Sequence, residues 1–263
     1  MDKIIKNVLN KIEEKGYIAY IVGGYVRDYL LKKSSNDIDI ATSARPEVLE
    51  ELFPDGESHP YGGIHLKKGP YTIAITTFRK ELGYENRRPI QLEFINDIDT
   101  DLQRRDFYIN AICMDAQENI IDPLNGRKDL CDEVIRSIGD SLTKIKEDPL
   151  RILRAIRFAT TLDFTIDARL QETIRKNAHL TQTISKYRIK EEYSKILSSP
   201  NYQKGLDLSE ELGLTKYLFI EYNNVYYSPN IYEMWAQVKI KDIPFTKQEK
   251  RTIIRIKETI KKK

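Results

Sequence analysis

A chain of 263 residues, 40% hydrophobic and 32% charged, suits one large or two modest domains with a very polar surface. No apolar run approaches the roughly 18–20 residues that span a bilayer, and the opening MDKIIKNVLNKIEEKG reads as a mixed-charge amphipathic helix, not a leader, so no membrane partner is expected. The net charge of +3 is uninformative, but residues 239–263 hold ten Lys/Arg against three Asp/Glu, leaving −4 for the rest.

A basic end of this kind suits a polyanion such as RNA, or it is a solvated terminus. Cys113 and Cys131 lie in different elements without metal-type spacing. Reduced thiols and a cytoplasmic location are the expectation.

Residues 1–16 predict a helix ending at Gly16, and 17–23 a strand. Residues 25–33 predict a helix and 36–42 a second strand. Arg45-Pro46 opens a helix over 46–53, closed by Pro54-Asp55-Gly56. Residues 57–78 alternate like a hairpin, with turn signals at Tyr61-Gly62-Gly63 and Lys68-Gly69-Pro70. The polar, aperiodic RKELGYENRRP of 79–89 reads as a mobile loop, followed by a strand over 90–95. The apolar part of 101–115 reads as a helix packed on the sheet. After Gly139 the strand signals stop, and 141–145, 148–161, 167–178, 184–198 and 201–212 suit helices. The expected fold class is α+β/α: an α/β head through residue 138, then an all-α second half.

The segment AYIVGGYVRDYLLKKSSNDIDIAT carries the densest chemistry. Residues two apart in a strand share a face, so Asp37 and Asp39 point the same way while Ile38 and Ile40 enter the core. Two carboxylates on one edge repel unless a divalent cation sits between them, and Mg²⁺ favours carboxylates that hold it together with substrate phosphates. Gly23-Gly24 lets backbone N–H groups approach an anion closely. Together these point to phosphoryl transfer on a nucleotide. Separately, each is an ordinary turn or a solvated strand edge.

In Arg104-Arg105-Asp106-Phe107, two guanidiniums precede an acid and a ring. Arginine suits bidentate phosphate recognition, although the same residues would serve as a surface ion-pair cluster. Pro149 suits the first position of a helix, which makes Asp148 its N-cap. Arg151, Arg154 and Arg157 then form a basic stripe opposite Ile152, Leu153 and Ile156. This is either a capped helix with a solvated face or a base-reading site. In the second case Asp148 accepts from the exocyclic amino group of cytosine or adenine, and Arg151 donates to the neighbouring ring atom. Such a pair would accept CTP and ATP and reject UTP and GTP. Asp122 to Leu130 reads as a connector.

These segments resemble the class II tRNA nucleotidyltransferases and bacterial poly(A) polymerases, within the polymerase-beta-like nucleotidyltransferase superfamily. The resemblance covers roughly residues 17–198. It implies a nucleotidyltransferase head over 1–138, a nucleotide-selecting neck over 139–200 and a short RNA-binding body over 201–263. It implies that Asp37 and Asp39 are catalytic and hold Mg²⁺, and that Gly24, Arg27 and Arg105 contact nucleotide phosphates and ribose. Asp148, Arg151, Arg154 and Arg157 would form the nucleotide pocket. The partners implied are a tRNA 3′ end, CTP and ATP. Asp101 or Glu93 would supply any third carboxylate.

Two departures stand out. Tyr108 replaces the usual Thr of the arginine-aspartate motif, and Tyr187 the Glu before Arg188-Ile189. Tyr217, Tyr222, Tyr226, Tyr227 and Tyr232 in the short body read as core. Arg79, Tyr84, Arg87, Arg88 and Pro89 resemble the loop of enzymes able to add the terminal A. That favours CCA addition, with A addition alone or poly(A) synthesis as alternatives. A catalytically silent RNA-binding module would have lost Asp37, Asp39 or Arg105; all three are present.

Overall fold

Asp2 caps α1 (Lys3–Glu13) by accepting from the Ile4 N–H at 2.7 Å, and the helix buries Ile5, Val8, Leu9 and Ile12. The computed structural model describes residues 1–85 and 87–260. Asn86, within the segment read as a loop, and the closing Lys261–Lys263 of the basic end lie outside the described residues. The chain divides into two compact units: Met1–Asp132 with Arg136–Gly139, and Glu133–Ile135 with the residues from Asp140 onward.

The first unit continues with β1 (Ala19–Val22), α2 (Gly24–Leu30), β2 (Asp37–Thr42), α3 (Pro46–Leu52), β3 (Glu57–His59), β4 (Gly63–Lys68) and β5 (Tyr71–Thr77). Then come β6 (Arg79–Glu85), β7 (Arg88–Phe94), α4 (Ile98–Gln103), β8 (Cys113–Met114), β9 (Ile120–Ile121) and α5 (Gly126–Cys131). Seven strands form one sheet in the order β3-β4-β5-β2-β1-β8-β9, so β2 is its middle strand. It runs parallel to β5 and antiparallel to β1. Ile38 and Ile40 are buried and Asp37 and Asp39 exposed, as the alternation predicts. Behind them Val22, Ala41, Phe78, Leu102, Ala111, Cys113 and Ile138 form a continuous apolar cluster.

Two expectations for this unit fail. Residues 79–85 do not form a loop: β6 pairs antiparallel with β7 as a ribbon separate from the seven-stranded sheet. Only β7 carries apolar alternation, at Ile90, Leu92 and Phe94, which predicts the strand over 90–95; β6, RKELGYE, is polar and carries none. Residues 104–115 are not helical either. They form a 3₁₀ turn at Tyr108–Asn110 and then β8, which pairs with β1. The physical reason is Asp106, whose Oδ1 accepts from the Phe107 N–H at 2.8 Å and from Asn110 Nδ2 at 3.1 Å, a local alternative to helical bonding.

The second unit holds β10 (Val134–Ile135), α6 (Ser141–Glu147), α7 (Leu150–Leu162), β11 (Thr165–Ile166), α8 (Ala168–Asn177), α9 (Lys186–Leu197) and α10 (Tyr202–Glu211). It ends with α11 (Leu214–Leu218), β12 (Ile220–Tyr222), α12 (Ile231–Gln237), β13 (Val238–Ile240) and α13 (Lys247–Ile260). Helices dominate, but two short strand pairs, β10 with β11 and β12 with β13, are added to the expected all-α half. Tyr193 is fully buried, its hydroxyl donating to Ser209 Oγ at 3.0 Å. A methyl on Gly205 would lie 2.5 Å from Ile196 and 2.6 Å from Thr160, so α10 packs tightly here. The five body tyrosines read as core are not buried, and Tyr226 and Tyr227 are exposed. Each phenol needs a polar partner for its hydroxyl, as Tyr222 finds in Glu210 at 3.0 Å.

Candidate active site

Strand pairing brings the diglycine to the carboxylates. Val22 lies opposite Asp39 in the register of β1 and β2, so the chain leaves β1 for Gly23 directly beside that acid. Gly23 has φ 75, in the left-handed region that favours glycine. A methyl built on it would lie 3.5 Å from Asp39 Oδ2 and 3.6 Å from Arg105 NH1. Gly23, Asp39 and Arg105 therefore converge on one corner. A methyl on Gly24 would lie 3.7 Å from Arg27 NH2, which places that guanidinium beside the second glycine.

Arg27 is nearly buried and held on two sides. Its Nε donates to Asp28 Oδ1 at 2.8 Å and its NH1 to Asn110 Oδ1 at 2.8 Å. Asn110 in turn donates to Asp106, so the arginine-aspartate motif orients the arginine of α2 through a buried amide. Asn110 carries no isolated signal in the sequence; its position four residues after Asp106 is the one feature that could have marked it.

The donor set fits a hard divalent cation. Asp37 and Asp39 offer exposed carboxylate oxygens on one face, and the glycine at 23 leaves open the space a side chain would fill. The expected third carboxylate is a correction. Among the described residues, no group of three or more His, Cys, Asp or Glu could hold a metal. Asp101 is fully buried and faces arginines, accepting from Arg104 Nε at 2.9 Å and Arg105 NH2 at 3.4 Å. Glu93 lies on the ribbon, opposite Lys80. Burial alone would raise the Asp101 carboxyl, but Arg104, Arg105 and the Arg79 N–H outweigh it and hold it below the usual carboxylate range.

In the second unit, Asp148 is extended (φ −146, ψ 99) and its Oδ1 accepts from the Leu150 N–H at 3.0 Å. The expected capping is displaced by one residue: Pro149 is the N-cap of α7 instead of its first helical residue, and Asp148 closes α6 while its side chain accepts from the first N–H of α7. Arg151 NH1 donates to the Lys144 carbonyl at 2.8 Å and to Glu147 at 2.7 Å. Arg157 Nε reaches Glu192 of α9 at 2.5 Å, and its guanidinium lies 3.9 Å from the Phe158 ring centroid. Arg154 lies 5.2 Å from the same ring. All three arginines are half-buried, so the stripe is not a solvated face. Glu191 and Glu192 follow the Tyr187-Arg188-Ile189 motif in the sequence, but nothing there pairs Glu192 with Arg157, a contact that spans 35 residues. Asp37, Asp39, Gly24, Arg27 and Arg105 thus belong to the first unit, and Asp148, Arg151, Arg154 and Arg157 to the second.

Residues 19–136 match the family described as the poly A polymerase head domain, and residues 163–225 the one described as the probable RNA and SrmB-binding site of polymerase A. The chain belongs to the tRNA nucleotidyltransferase and poly(A) polymerase family. One relative within this family is the CCA-adding enzyme of Geobacillus sp. (strain WCH70), 41% identical over 216 residues, 80% of this chain and 53% of that protein. The crystal structure of the Bacillus stearothermophilus CCA-adding enzyme in complex with CTP is similar at TM-score 0.75 and 34% identity, covering 82% of this chain and 54% of that one. A tRNA nucleotidyltransferase complexed with a primer tRNA and an incoming ATP analogue gives TM-score 0.67 at 28% identity, covering 87% of this chain and 66% of that one. The chain spans about half the length of the curated family members it matches. Among the described residues, no helix is long and apolar enough to cross a membrane.

Proposed function

We propose that the chain is a Mg²⁺-dependent tRNA nucleotidyltransferase that adds C and A from CTP and ATP to a tRNA 3′ end, without a nucleic-acid template, and releases pyrophosphate. The observation that carries this reading is the corner where Gly23, Asp39 and Arg105 converge, with Asp37 exposed on the same strand face. Asp37 and Asp39 would hold the ion together with substrate phosphates. Bound there, Mg²⁺ supplies the charge neutralisation that phosphoryl transfer to a 3′-hydroxyl needs. Arg105 and Arg27 meet the nucleotide's phosphates and ribose, and Gly24 keeps the backbone open to them. Positioning and charge neutralisation suffice, with no covalent intermediate.

Residues 139–200 serve as the neck. There Asp148 and Arg151, at one helix start, address the base edge, and Arg154 and Arg157 complete the pocket. Residues 201–263 serve as the RNA-binding body. In support, Lys247, Arg251 and Arg255 recur every fourth residue along α13, exposed and without an ion pair among the described residues. The relatives solved with CTP, and with a primer tRNA and an ATP analogue, support the substrates. The ribbon of β6 and β7, which carries Arg79, Tyr84, Arg88 and Pro89, favours terminal A addition over CC addition alone. The setting proposed is the cytoplasm, where both free cysteines stay reduced.

Primer extension tests this. tRNAs ending at the discriminator base, at C and at CC are each offered single labelled nucleotides with Mg²⁺. CMP should enter the first two and AMP the third, while UTP and GTP are refused. Full incorporation by Asp37→Ala would show the assignment to be wrong, and repeated AMP addition would indicate poly(A) synthesis.

A further inference from the structure

We propose that Asp101 is a positioning residue: it fixes Arg105 at the Gly23–Asp39 corner and ties the root of the β6–β7 ribbon to that arginine. This rests on the nucleotide-binding role proposed for Arg105. Asp101 is 0% exposed, and three groups donate to its two oxygens. Oδ1 takes the backbone N–H of Arg79, the first residue of β6, at 3.1 Å and Arg104 Nε at 2.9 Å. Oδ2 takes Arg105 NH2 at 3.4 Å. The Arg79 side chain extends this root, its guanidinium lying 2.7 Å from Glu81 and donating to the Tyr61 carbonyl at 2.8 Å.

Arg105 has few other restraints. Its Nε is buried without a hydrogen-bond partner, and among the described residues Asp101 is the one carboxylate paired with its guanidinium. The remaining NH1 faces the corner where a methyl on Gly23 would sit, 3.6 Å away. A planar guanidinium gripped at one nitrogen presents the next in a fixed direction. Asp101 thus sets where Arg105 aims, without itself reaching that corner.

Asp101→Asn separates this role from a structural one. The amide keeps an acceptor for Arg79 and Arg104 but sets a donor against Arg105 NH2. CTP and ATP affinity is measured by calorimetry without primer, and KM and kcat with tRNA. Asp101→Asn should weaken nucleotide binding about tenfold, equivalent to about 1.4 kcal/mol, and raise KM more than it lowers kcat. Arg104→Gln, which removes the other guanidinium on Asp101, should lower the melting temperature yet bind nucleotide nearly as the wild type does. In an Arg105→Gln background, Asp101→Asn should cost no further affinity.

Unchanged affinity in Asp101→Asn, or a loss that adds fully to that of Arg105→Gln, overturns the proposal. Should Asp101→Asn unfold, the same cycle is read on Asp101→Glu, which keeps the charge and displaces it by one methylene. A wild-type chain that binds neither nucleotide defeats the function on which the inference rests, and the inference with it.

Discussion

Arg27 donates to the side-chain oxygen of Asn110 at 2.8 Å across 83 residues of sequence, and both residues are buried. That bond makes two motifs into one arrangement. Asn110→Ala leaves the guanidinium short of an acceptor in a place water reaches poorly. The variant should lose about 1–3 kcal/mol in urea unfolding. It should also incorporate CMP and AMP more slowly, because Arg27 is no longer aimed from two sides.

Arg157 and Glu192 hold α7 to α9 through a nearly buried ion pair. Removing one partner strands the other charge. Glu192→Ala should destabilise by about 3–5 kcal/mol. Loss of helical circular dichroism on heating checks this; a melting temperature equal to the wild type's would contradict the pairing.

Asp101 predicts a pH dependence. Its folded pKa is held down, against an unfolded value of about 3.9. A depressed carboxylate stabilises fully above the unfolded value, and that contribution is lost as pH falls through the folded one. Urea unfolding of wild type and Asp101→Asn should therefore differ at pH 7 and at pH 5, and the gap should begin to close only below about pH 4. A gap that stays constant to pH 3 would show that the carboxylate's charge is not what stabilises the site.

Burial pushes the Cys113 thiol up to about 12, whereas Cys131 is exposed. A maleimide at neutral pH should label Cys131 alone in the native protein and both cysteines in denaturant, as mass spectrometry would show.

Much of the site was legible because local rules govern it. Strand alternation set Asp37 and Asp39 outward and Ile38 and Ile40 inward, and capping chemistry brought the Asp148 carboxylate to the first N–H of α7, one residue out of the expected register. The failures came where partners are distant in sequence or where no core imposes a pattern. Asp101 looked like a metal ligand until its arginine partners filled both oxygens. The β6 half of the ribbon was hidden by its lack of apolar alternation, whereas β7 was legible as a strand over 90–95, and the helix read into 104–115 gave way to the side-chain bonds of Asp106. Tyr226 and Tyr227 showed that aromatic content alone does not mark a core.

The separateness of the ribbon has an evolutionary consequence. β6 and β7 pair with each other and with no strand of the seven-stranded sheet, and the tip region exposes Ile90 to 70%. Substitutions at the exposed Lys80, Ile90, Gln91 and Glu93 remove no buried side chain, so the ribbon's outer positions can vary without loss of the scaffold. Under the nucleotide addition proposed above, the ribbon's surface is then free to change while the architecture behind Asp37 and Asp39 stays as it is.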